Sequence, residues 1–97
     1  MSEKPKVLVI DDDADLVSSV RIVMEDAGWQ VNSAENGAIG MERAREEAPD
    51  LIILDVLMPR QDGLTTYEQL RSDPALGAVP IIVLTSVSQK LKIGFSE

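Results

Sequence analysis

Acidic and hydroxyl residues stand where three apolar runs stop. Val7-Leu8-Val9-Ile10 leads into Asp11-Asp12-Asp13, Leu51-Ile52-Ile53-Leu54 into Asp55, and Pro80-Ile81-Ile82-Val83-Leu84 into Thr85-Ser86. If the runs are neighbouring parallel strands, Asp11, Asp12, Asp55 and Thr85 converge on one sheet edge. That is the C-terminal edge, where open α/β sheets build their sites. Three carboxylates and a hydroxyl around one point suit a divalent cation and a phosphoryl group. An Asp carboxylate is a nucleophile toward phosphorus and gives an acyl phosphate. Because anion then attacks anion, a magnesium ion held by the other carboxylates is needed to offset the repulsion and orient the phosphoryl oxygens. Magnesium keeps several waters in its octahedron, so two or three carboxylates and a backbone carbonyl suffice. Thr85 can hydrogen-bond one phosphoryl oxygen, and a lysine would complete the charge balance.

What is absent narrows the chemistry. The chain has no Cys and no His. Disulfides, thiolate nucleophiles, Cys-ligated zinc and Ser-His triads are therefore excluded. Hard oxygen ligands select magnesium, manganese or calcium. The net charge of −8 disfavours direct contact with nucleic-acid phosphates or anionic lipid. No apolar stretch is long enough to span a membrane, and Met1-Ser2-Glu3-Lys4 is not a signal-peptide start, so a cytoplasmic location is expected.

The elements that must hold these residues alternate. Each apolar run is short, β-branched and not alternating, as in a strand buried on both faces of a parallel sheet. With 97 residues, 44% of them hydrophobic, the chain makes a single α/β domain with an aliphatic core. Asp13 reads as the N-cap of a first helix, with Leu16, Val20, Val23 and Ala27 inward and Gly28 as its stop. Residues 30–34 form a polar, edge-type strand. A second helix over 38–47 turns Met41, Ala44 and Ala48 inward, while Glu42, Arg43, Arg45, Glu46 and Glu47 make a solvated face. Residues 51–55 are the central strand, and 58–63 a loop with Pro59 and Asp62-Gly63 as turn signals. A third helix over 64–72 buries Tyr67 and Leu70. Asp73-Pro74 and Gly77 break it before the strand at 79–85, and Ser88 can cap a short helix through Leu91. Trp29 reads as packing. Gly37, Gly63 and Gly77 do not form a dinucleotide-type phosphate loop.

The runs Val9-Ile10-Asp11-Asp12-Asp13, Leu54-Asp55-Val56-Leu57-Met58-Pro59, Asp62-Gly63 and Val83-Leu84-Thr85-Ser86 resemble the receiver domain of bacterial two-component response regulators. The likeness runs from about Lys6 to Ser86. It implies a flavodoxin-like, doubly wound parallel sheet of order 2-1-3-4, with the family's fifth strand and fifth helix falling outside this chain. It also implies that Asp55 is the phospho-acceptor and Thr85 the switch hydroxyl, and that Met58-Pro59 and Asp62-Gly63 shape the loop beside the acceptor. Asp11, Asp12, Asp55 and the Leu57 carbonyl would hold Mg2+, with Mn2+ as a substitute. The phosphoryl donor would be a sensor histidine kinase or a histidine phosphotransfer protein.

Two departures from the resemblance carry expectations. The family's lysine would fall beyond Glu97, since Lys90 and Lys92 come too soon after Thr85, and weak phosphorylation is expected in consequence. At Gly40 the resemblance leads one to expect Ala. Leu57 and Val87, which flank the approach to Asp55, are apolar and cannot orient an attacking water. A long-lived phosphoryl state is expected for that reason.

A fully apolar fourth strand at an open edge also predicts association, as a homodimer or strand-exchanged oligomer. The competing function is a non-switching receiver that acts as an interaction module. An Asp-based phosphatase is disfavoured, because Leu57 stands where a general acid would be needed.

Overall fold

The apolar runs form one parallel sheet. The computed structural model describes residues 4–56 and 62–84. In chain order the elements are β1 (Lys6–Ile10), α1 (Ala14–Asp26), β2 (Gln30–Ala34), α2 (Gly37–Glu47), β3 (Leu51–Asp55), α3 (Asp62–Ser72) and β4 (Ile81–Leu84). The strand order is β2-β1-β3-β4, all parallel, so the α/β sheet is the doubly wound arrangement expected. Register pairs Ile10 with both Ala34 and Leu54, and Asp55 with Leu84. The ladder continues one residue past the strand ends: Asp11 N–H donates to Ala34 O at 2.9 Å and Val56 N–H to Leu84 O at 3.0 Å. Asp11 and Asp55 are thereby fixed at one edge by backbone bonds on either side of them.

Side chains along β1 and β3 alternate between two cores, which is why these runs are apolar throughout. Leu8, Ile10, Ile52 and Leu54 pack with Met41 and Ala44 of α2, Leu70 of α3 and Leu76. On the opposite face, Val7, Val9, Val31 and Ile53 pack with Val17, Val20 and Met24 of α1 and with Trp29. Each fully buried aliphatic side chain stabilises the fold by about 1.5–3 kcal/mol.

Local signals fix the helix ends. Asp13 caps α1, accepting from Asp15 N and Leu16 N, and Asn36 caps α2 by accepting from Ile39 N. At the other end of α2, Lys6 Nζ donates to Glu47 O at 2.7 Å, a cation on the helix's negative end. Asp50 accepts from Lys6 N, tying the start of β1 to the start of β3.

Gln30 N–H and Ala34 C=O bond toward β1, so the main-chain groups of Val31 and Ser33 face the free edge of β2. One group of each is occupied locally, the Val31 C=O and the Ser33 N–H. Arg21 donates to Val31 O at 3.0 Å, and Ser33 N–H donates to Asn32 Oδ1 at 3.0 Å.

Several sequence expectations are corrected. The inward stripe of α1 is Val17, Val20 and Met24, whereas Val23 is 65% exposed and Ala27 also faces solvent. An apolar helix shows two neighbouring stripes in sequence, and only the sheet decides which is covered. Ala48 is exposed as well; it is the left-handed C-cap of α2, with φ 50°. Asp62-Gly63 is the first turn of α3 and not a loop turn. Glu47 and Arg43 are half-buried, because both bond Asn32 of β2: Arg43 donates to Asn32 Oδ1, and Asn32 Nδ2 donates to Glu47. Of the four β4 residues, Ile82 and Val83 are 49% and 45% exposed, one on each face, so this run is not buried on both faces as β1 is. Among the described residues β4 pairs with β3 alone.

Candidate metal and phosphoryl-acceptor site

Asp11, Asp12 and Asp55 meet at the C-terminal edge of the two central strands. One carboxylate oxygen from each lies within 4.8 Å of the others. Asp11 is 3% exposed and Asp55 5%, while Asp12 opens to solvent. The site therefore has a dry floor and a wet mouth.

Asp11 is held in place by Asp13 N–H, which donates to its Oδ1 at 2.9 Å. Its other oxygen, Oδ2, is buried with no hydrogen-bond partner. A buried anionic oxygen without a donor is costly, and a cation or a proton removes the cost. Burial pushes the Asp11 carboxyl up to about 7; the Asp13 N–H opposes the rise, and the neighbouring Asp55 and Asp12 carboxylates add to it. The orphaned oxygen and the three-acid set fit a hard, oxygen-seeking divalent ion such as Mg2+.

A cavity of about 520 Å³ opens beside Asp11 and Asp12, between α1 and α2. A larger one of about 720 Å³ between α2 and α3 touches none of the three acids and lies apart from this chemistry. Thr85, Leu57, Val87, Lys90 and Lys92 lie outside the described residues, as does the 86–97 segment.

Two glycines make close contacts at the site. Gly40 of α2 lies against Ile10, the residue before Asp11; a Cβ at position 40 would stand 2.6 Å from Ile10 Cδ1. Gly63 of α3 lies against the main chain of Asp55 and Val56. The departure at Gly40 thus has a physical reason, since Ile10 fills the space a methyl group would need.

The sequence profile of the response regulator receiver domain matches residues 7–94. The chain belongs to the response regulator receiver domain family. Among its relatives, the receiver region is 39% identical over 85 residues to the DNA-binding dual master transcriptional regulator RpaA of Synechocystis, covering 88% of this chain and 35% of RpaA. It is 34% identical to Protein PilH of Pseudomonas aeruginosa, covering 88% of this chain and 70% of PilH. The chain thus spans about a third of the length of a DNA-binding regulator such as RpaA. In structure it is similar to the chemotaxis response regulator CheY4 of Vibrio cholerae, with a TM-score of 0.80 and 29% identity over 97% of this chain and 80% of CheY4. The flavodoxin-like receiver fold and the place of the chain among two-component signalling proteins rest on these likenesses together with the sheet order. Among the described residues, no helix is long and apolar enough to cross a membrane.

Proposed function

We propose that the chain is a phosphorylation-switched signalling module in which Asp55 accepts a phosphoryl group from the phosphohistidine of a partner kinase or phosphotransfer protein. One observation carries this: two strand-end carboxylates, Asp11 and Asp55, are buried side by side with Asp12 at the mouth, their oxygens within 4.8 Å. A structural role alone would not place three like charges together.

Asp11, Asp12 and Asp55 would hold Mg2+, with Mn2+ as a substitute and the Leu57 carbonyl as a further ligand. When bound, the ion supplies positive charge against the transferring phosphoryl oxygens. Asp13 N–H keeps Asp11 oriented. The Asp55 carboxylate oxygen bonds to phosphorus as the P–N bond to the donor ring breaks; that ring carries a proton on its other nitrogen, so it keeps the electron pair and leaves as neutral imidazole. An acyl phosphate and a neutral histidine result. Thr85 is the hydroxyl that would then bond a phosphoryl oxygen and carry the switch. The chain is a phospho-acceptor and not a turnover enzyme, and it would act in the cytoplasm.

The test is incubation with a small acyl phosphodonor and magnesium, read by intact mass. One phosphoryl group is expected on the unsubstituted chain and none on Asp55→Asn. Phosphate retained on Asp55→Asn would refute the assignment.

A further inference from the structure

We propose that the cavity between α1 and α2 is an anion site, in which the Arg43 guanidinium receives the phosphate or carboxylate group of a small molecule. Only the magnesium dependence of this site rests on the reading of Asp11 and Asp12 given above.

Arg43 is half-buried and carries a charge that no anion meets directly. Among the described residues it forms no ion pair, whereas Arg21 meets Glu25 and Arg45 meets Asp73. Its Nη1 reaches the neutral amide oxygen of Asn32 at 3.4 Å, beyond the ordinary span of about 2.7–3.2 Å. Its Nε is buried with no hydrogen-bond partner. Glu47 compensates only at a remove, through the Asn32 amide that both groups bond. A shielded guanidinium with an orphaned donor is costly, and an anion removes the cost.

The cavity supplies room for that anion. Arg43 lines it, and its volume of about 520 Å³ falls within the range of about 300–1,000 Å³ usual for small-molecule sites. Arg21 and the hydroxyl residues Ser18 and Ser33 line the same space, so further donors are at hand for the remaining oxygens. Because the Asn32 bond is long, the Arg43 guanidinium can turn toward the cavity at little cost. It then offers a planar fork that fits two oxygens of a carboxylate or phosphate.

Charge decides when the site fills. Asp11, Asp12 and Glu35 share the walls with the two guanidinium groups, so with all acids ionised one negative charge is in excess. A divalent ion on Asp11 and Asp12 reverses that balance to one positive charge. Cation and anion therefore reinforce each other's binding.

The experiment is an NMR titration of the unsubstituted chain at pH 7 with inorganic phosphate and, separately, with succinate, in excess Mg2+ and again in EDTA. Saturable shifts are expected at the amides of Ser33, Ile39 and Arg43 in magnesium, with Kd about tenfold weaker in EDTA. The probe that binds more tightly assigns the ligand to the phosphate or the carboxylate class. Arg43→Gln is expected to weaken binding by about tenfold or more. Ser18→Glu sets a carboxylate at the cavity and leaves Arg43 in place, and the same loss is expected. Ser18 is exposed on α1, so this variant tests the site even if Arg43→Gln folds poorly. Shifts that never saturate, or that are no larger than those of exposed Arg45, mean an adventitious ion only and overturn the proposal. Saturable binding that persists in both variants and shifts Asp55 and Val56 instead puts the anion on the metal and also overturns it. Arg43-dependent binding of equal strength in magnesium and in EDTA would uphold the cavity and count against the metal reading of Asp11 and Asp12.

Discussion

Asp11 and Asp55 end the two adjacent central strands, and both acids are almost completely shielded from water. Their strands are locked in register by Ile10 and Leu54, so the carboxylates cannot separate without unzipping the middle of the sheet. The repulsion between them is built into the fold and is available to any cation that relieves it.

Metal binding is expected to depend on pH. Asp11 is raised to about 7 by burial and by its acidic neighbours, against about 3.9 for an unperturbed Asp. Its folded value lies above its unfolded value, so the metal-free protein is favoured at low pH. That advantage is lost as pH rises from about 4 through about 7. Magnesium needs the deprotonated form, so its apparent Kd is expected to weaken by up to about tenfold per pH unit below 7. Urea midpoints in EDTA should therefore fall between pH 5 and pH 8, and midpoints in magnesium should not. Asp12→Ala should reduce the magnesium-induced rise in melting temperature, and an equal rise in both proteins would contradict the site.

Gly40→Ala is expected to destabilise the fold even though Ala favours helices by about 1 kcal/mol over Gly. The new methyl would press on Ile10, which is fully buried and has no free space to enter. Overpacking of this kind costs about 1–3 kcal/mol. Ile10→Val in the same chain removes the nearest atom, Cδ1, and should restore part of the loss. Denaturant midpoints of the two single variants and the double variant give the coupling.

Ala48→Gly should stabilise the protein by about 0.5–1 kcal/mol. Ala48 adopts φ 50° as the C-cap of α2 and is exposed, so nothing is lost in packing. A small rise in melting temperature with unchanged magnesium affinity is the expected result.

The chain is expected to self-associate through β4, whose Ile82 and Val83 are both substantially exposed. Light scattering should report a dimer at micromolar concentration, and Val83→Lys should shift it toward monomer. A well-folded monomer of the unsubstituted chain at that concentration would show the edge argument to be wrong.

Sheet topology and the acid cluster were legible in the sequence because both depend on strand ends. A run such as Val7 to Ile10 reads as buried on both faces, and the next residue, Asp11, then lies at the edge; the equally apolar Ile81–Leu84 does not follow the rule, because β4 has only one neighbour among the described residues. Helix faces were less legible. Leu16, Val20, Val23 and Ala27 form an apolar stripe as regular as Val17, Val20 and Met24, and the choice between them is made by the sheet. Arg43 and Glu47 looked like ordinary surface charge, because their partner Asn32 belongs to a different element. The contact of Gly40 with Ile10 was hidden for a related reason: a missing side chain leaves no trace of what lies in its place. An i,i+4 pair of opposite charge facing a polar edge strand was the one signal that could have exposed the Asn32 network.

The stoppered edge of β2 gives the sheet a valence. Arg21 occupies the Val31 C=O and Asn32 the Ser33 N–H, so a visiting strand would have to displace both side chains to extend the ladder there. On the opposite side, β4 offers no such plug among the described residues. A building block with one live end couples once and then stops, whereas one with two live ends grows into a fibre. Arg21→Ala, which leaves only the Asn32 bond in the way, should move the protein from the first kind toward the second. Assemblies longer than a pair, seen by sedimentation in Arg21→Ala and not in the unsubstituted chain, are the signature of that change.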